Sequence, residues 1–186
     1  KMRGRVKFQE VSNASQSARS DWDAFETSWN FTRPLILNIK SKTLLEKVVN
    51  TLRLQIQETI LTLKKIEEEN NRILINAYGL QYELTPEISF KEITLTCNPH
   101  YRYGGNRSEE ELETLLQCDT LKELVSYAIG CMMGRYSLDA PGLIYAHSGN
   151  EGFDPSQYTT FPADDDGIVP LTDTEWFEDD ACHRLI

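Results

Sequence analysis

One stretch restricts the fold of this 186-residue chain more than any other: a periodic apolar run from Leu45 to Ala77. Leu45, Val49, Leu52, Ile56, Thr59, Leu63, Ile66, Asn70, Ile73 and Ala77 recur at steps of four and three, and eight of these ten are apolar. That is a heptad seam, and it wants a partner helix, either from the same chain or from another one. Thr43 with Glu46 forms a capping box, and Gly79 stands where a left-handed helix end is needed. The expectation is one long helix over about Thr43–Ala77. Asn70 falls on the seam, where a polar residue fixes register at some cost or simply marks a half-exposed end.

Around that helix the chain predicts a mainly α fold. It would be a helical bundle or long helical hairpin, with a loop-rich acidic C-terminal part and at most minor β structure. Residues 1–42 read as a polar and aromatic N-terminal segment, 43–146 as a helical spacer domain, and 147–186 as an acidic loop-rich segment packed on it. Within the first range, residues 9–20 are serine-rich and polar, which predicts a mobile or loosely packed stretch. Trp22, Phe25 and Trp29 fit one face of a short anchoring helix, broken by Pro34. Leu35–Leu37 then continues as extended chain or loop.

Beyond the long helix, Glu92–Cys97 alternates like a strand or an extended link. Asn98–Asn106 reads as a loop, given Pro99, Gly104 and Gly105. Ser108 with Glu111 and Thr120 with Glu123 are two more capping boxes, predicting separate helices to about Gln117 and about Tyr136. Gly130 and Gly134 lie one turn apart, a small-residue face that permits close approach of another helix. Pro141-Gly142 makes a turn before a short apolar return, Leu143–Ala146, and a last short helix is expected near Asp173–Leu185.

The net charge of −10 hides an asymmetry, because residues 1–76 carry 13 Lys/Arg against 9 Asp/Glu whereas residues 77–186 carry 6 against 20. An acidic half repels phosphate at long range, so tight non-specific DNA binding by this chain alone is disfavoured. No run of eighteen apolar residues is present, so no membrane span or membrane partner is expected. The N-terminus lacks the apolar core of a secretory signal, and a chain beginning at Lys1 suggests a trimmed fragment. Cys97, Cys118, Cys131 and Cys182 have no paired spacing, which predicts reduced thiols and a cytoplasmic location.

Candidate chemistry is sparse. Asn98-Pro-His-Tyr101 resembles the Asn-Pro-Pro-Tyr/Phe signature of amino-group DNA methyltransferases, whose asparagine and aromatic hold an extruded adenine. It departs from that signature at His100, and no glycine-rich turn of the Phe-x-Gly-x-Gly kind exists to hold S-adenosylmethionine. A turn with an aromatic anchor is the preferred reading. Tyr101, Arg102, Tyr103 and Arg107 form a basic-aromatic cluster on a glycine loop, able to reach phosphate and stack on bases. The competing reading packs the tyrosines on the core and pairs Arg102 with Glu109–Glu111. Arg135 closes the apolar helix and is a further candidate phosphate contact. Asp164-Asp-Asp-Gly167 looks like the middle of a calcium loop. Placing Gly167 sixth, however, puts Pro162 where a carboxylate is required. Cys97/His100 and Cys182/His183 lack zinc-site spacing. No metal site and no catalytic residue are expected.

Several segments together resemble one family: Phe25–Trp29, the long helix, Ile93–Pro99, Leu124–Leu138 and the Asp164–Pro170 turn leading into Trp176–Asp180. They are similar to the segment that follows the catalytic domain in adenine-specific DNA methyltransferases of the BREX/phage-growth-limitation (PglX-type) class. The resemblance covers nearly the whole chain. It implies a parent enzyme that transfers methyl from S-adenosylmethionine to adenine N6 in DNA, within a phage-defence or restriction-modification system. It implies for this piece a non-catalytic helical spacer that braces DNA, with no cofactor of its own and with DNA and other defence proteins as partners. The alternative is an acidic interaction module docking through the 45–77 seam.

Overall fold

In a computed structural model of the chain, the structure describes residues 2–40, 44–147, 151–174, 176–177 and 179–185, with side chains from Val11 onward. Among the described residues five α-helices follow one another: α1 (Met2–Trp22), α2 (Leu45–Tyr78), α3 (Pro99–Tyr103), α4 (Glu109–Met132) and α5 (Ala181–Leu185). Short 3-10 turns lie at Leu35–Asn38, Phe90–Glu92 and Pro155–Gln157, and no strand occurs among the described residues. The fold is mainly α, as the periodicity predicts.

Two compact units form, each discontinuous in sequence: residues 1–23 with 39–118, and residues 24–38 with 119–186. In the first unit α2 is the spine. Val49, Leu52, Ile56, Ile60 and Leu63 are buried along one face, while Ile66, Asn70 and Ile73 are half-buried and Ala77 is exposed. The chain's own residues thus cover the seam from Val49 to Leu63 and leave Leu45 exposed, with Ile60 rather than Thr59 buried. The expected capping residue Thr43 lies outside the described residues. At the other end Gly79, at φ 72°, closes a Schellman motif: the Leu80 amide donates to Ile75 O at 3.0 Å and the Gly79 amide to Asn76 O.

Residues 9–20 are helical, as part of α1 lying against α2, and none of 11–20 is buried. Serine and asparagine are weak helix formers, yet the segment contains no glycine or proline to break a turn. The aromatic anchor expected from Trp22, Phe25 and Trp29 does not form. Residues 23–30 are turns, Trp22 and Trp29 are exposed, and Phe31 is the ring that is buried. Leu35–Leu37 lies in a 3-10 turn with Ile36 buried.

The chain after α2 is strapped along it. Lys64 Nζ pairs with Glu68 and donates to Ile88 O at 2.5 Å, and Asn71 Nδ2 donates to Pro86 O at 3.3 Å. Ile93, Leu95 and Cys97 are buried whereas Thr94 is exposed, so the alternation is real although no strand partner occurs among the described residues. Ser108 and Glu111 make the expected reciprocal cap, at 3.1 and 2.8 Å, opening α4. The cap expected at Thr120 and Glu123 does not form, because α4 runs unbroken from Glu109 to Met132.

In the second unit α4 ends four residues earlier than expected. The Arg135 amide donates to Gly130 O at 2.7 Å and that of Gly134 to Cys131 O at 3.0 Å, another Schellman motif with Gly134 at φ 74°. Gly130 and Gly134 therefore do not form a helix-docking face. A Cβ on Gly130 would stand 2.6 Å from the Tyr136 ring, and one on Gly134 would stand 3.0 Å from Phe153. The chain folding back is what needs the space. Phe31, Tyr127, Cys131 and Tyr136 form the core there, with Tyr127 stacked on Tyr136 at 5.0 Å and Phe31 edge-on to both. Burial pushes both tyrosine hydroxyls up to about 12.

The acidic C-terminal part is loop-rich, but its carboxylates organise it. Asp180 accepts from the Thr172 amide and hydroxyl and from the Cys182 amide at 2.8 Å. Those donors, the Thr172 hydroxyl foremost, hold its carboxyl below the usual range. Asp139 likewise accepts from the amides of Thr159 and Thr160. Asp164 and Asp166 cap local amides two residues on, and Asp164 stands 3.9 Å from Arg184.

Candidate functional site

The chemistry-bearing residues of the first unit gather around α3. Asn98 opens this short helix: it is fully buried, and its Oδ1 accepts from the His100 amide at 3.2 Å. Its Nδ2 donates to Phe90 O at 2.7 Å and to Ile93 O at 2.8 Å. Its side-chain oxygen and amide nitrogen thus both bond to local backbone groups. The Asn98–Asn106 loop differs from expectation in containing this helix, since asparagine at the cap and proline at the first helical position favour one.

Buried Asp21, at the end of α1, accepts from the amides of Thr96 at 2.6 Å and Cys97 at 2.9 Å. It anchors the turn that presents α3. Burial pushes the Cys97 thiol up, and the Asp21 charge adds to the shift. Cys97 is therefore a packed thiol rather than a nucleophile.

From that base the basic-aromatic cluster projects. Tyr101 is about half exposed, at 49%. Arg102 lies over the Tyr103 ring at 5.5 Å, both half-buried, and Arg107 is exposed beyond Gly104 and Gly105. Lys91 donates to Gly105 O at 3.3 Å, adding a cation to the same loop that sequence reading does not single out. Of the acidic neighbours, Glu109 lies 3.4 Å from His100 and Glu111 accepts from the Ser108 amide. Arg135, exposed after α4, belongs to the second unit.

Beside the cluster is a pocket of about 220 Å³ whose walls come from α2, the Phe90 turn, α3 and the start of α4. Phe90 and His100 stack within it at 5.4 Å, and Arg53 pairs with Glu113 at 2.5 Å at its edge. Nothing local in the sequence announces it, because its walls come from four separate segments.

No protein-family model matches the chain. Two characterised proteins do. The chain is 40% identical to the adenine-specific methyltransferase BrxX of Escherichia coli, across 92% of its own length and 14% of that protein. It is 38% identical to the adenine-specific methyltransferase PglX of Lacticaseibacillus casei, across 88% of its length and 12% of that protein. It matches one segment of the BrxX/PglX methyltransferases. The similarity extends across nearly the whole chain, as the Phe25–Trp29, Ile93–Pro99 and Leu124–Leu138 segments led us to expect. The chain spans roughly an eighth of each BrxX/PglX relative it matches. No helix among the described residues is long and apolar enough to cross a membrane.

Proposed function

We propose that this chain is the helical spacer of a BrxX/PglX-like enzyme, one that methylates adenine N6 in DNA with S-adenosylmethionine as part of phage defence. On this reading the piece performs no chemistry. It sets the distance between the methyltransferase core and the part that reads sequence, and it acts in the cytoplasm. The observation that carries the reading is the match to these methyltransferases together with α2, whose 34 residues extend about 50 Å as a single helix. Its seam is covered by the chain itself from Val49 to Leu63, which favours an internal strut over a helix awaiting a partner. The competing interaction-module reading retains the half-buried seam from Ile66 to Ile73. Transfer of labelled methyl from S-adenosylmethionine to DNA by the isolated chain tests the non-catalytic part. No transfer is expected, and transfer above background would overturn it.

The DNA-facing part of the strut would be Tyr101, Arg102, Tyr103 and Arg107, with Arg135 as a separate phosphate contact. Because the surrounding chain is acidic, these residues position the duplex and do not hold it alone. In the full enzyme, Arg107→Ala should weaken binding alike on all sequences and reduce the slope of log K against log salt by about 1. An unchanged slope would remove Arg107 from the DNA surface.

A further inference from the structure

The pocket between α2, α3 and α4 has no part in the spacer reading, and its walls specify a ligand class. Its volume is about 220 Å³; elsewhere an apolar cavity of about 150 Å³ takes up benzene. One ring or two fused rings therefore fit. Ile56, Ile60 and Leu116 are buried side chains that make it apolar. Phe90 and His100, with planes 22° apart, make one wall aromatic, and such a wall favours a flat π-bearing guest. At the edge, the Arg53–Glu113 pair sets a donor beside an acceptor. The lining carries two carboxylates, Glu109 and Glu113, against one guanidinium, Arg53, a balance that disfavours an anionic guest.

We propose that this pocket binds a neutral, planar heteroaromatic ring whose edge carries a hydrogen-bond donor next to an acceptor, as adenine's amino group and N7 do. The ring lies against Phe90 and His100, and its edge meets Arg53 and Glu113. The proposal stands apart from the spacer role, since a strut can carry a ligand site and a ligand-free strut remains a strut.

Titration of ¹⁵N-labelled protein with adenine, followed by amide chemical shifts, tests it. Saturable shifts confined to Gln57–Leu61, Phe90, His100 and the first turns of α4 are expected, with adenosine monophosphate binding more weakly. Gln57→Trp, an exposed position on α2 at the pocket wall, should abolish the shifts by filling the space. Arg53→Met keeps the aliphatic packing, removes the donor and should weaken binding about fivefold. Absence of adenine shifts, shifts centred elsewhere, equal binding of the monophosphate, or unchanged binding in both folded variants would each overturn the proposal.

Discussion

Replacing Leu95 with alanine is expected to destabilise the first unit by about 3 kcal/mol, within the span found for leucine deletions in tight cores. Leu95 is fully buried on a segment that has no regular secondary structure. Its side chain, with those of Ile93 and Cys97, therefore helps to hold that segment to the helices. Hydrogen exchange of α2 amides reads the change within the unit itself, which matters because a chain with two compact units need not unfold in one step. Thr94→Ala, one residue away and exposed, should shift the same protection by less than about 0.5 kcal/mol. Equal losses at both positions would show that the alternating burial of Ile93, Leu95 and Cys97 does not anchor the segment.

Asp21→Ala is expected to cost a similar amount, about 3 kcal/mol, for a different physical reason. The substitution leaves the amides of Thr96 and Cys97 without their acceptor, one of them buried, and loss of a hydrogen bond to a charged group costs about 1.5–3 kcal/mol. Asp21→Asn retains an acceptor oxygen and should lose markedly less. Denaturant unfolding of both variants checks the order, and an alanine variant as stable as the asparagine one would contradict it. Because Asp21 supports the turn that ends in Asn98, Asp21→Ala should also broaden the amide resonances of α3.

What could be read from the residues alone was whatever is local. The seam and Gly79 announce α2 because a helix writes its period and its end into consecutive positions. The Ser108–Glu111 cap is legible for the same reason. The Thr120–Glu123 pair imitates a cap, but nothing between Cys118 and Thr120 stops a helix already under way, so α4 runs through it. Asp21 was invisible because its partners lie 75 and 76 residues away. Trp22 and Trp29 have the spacing of one helical face, but Trp22 ends α1 and Trp29 lies in the short turns that follow, with both rings exposed. Gly134 suggested helix packing from its spacing to Gly130; its positive φ, which makes it a helix end, appears only in the folded backbone.

The spacer account is tested most directly by adenine methylation in a BrxX enzyme whose matching segment has been exchanged for this chain. The exchanged enzyme should methylate its site. Glu58→Pro, which breaks α2 at an exposed position, should abolish methylation while leaving S-adenosylmethionine affinity unchanged, and Glu58→Ala should leave both intact. Full methylation by the proline variant, or a loss of cofactor affinity in step with methylation, would contradict a rigid strut that does no chemistry.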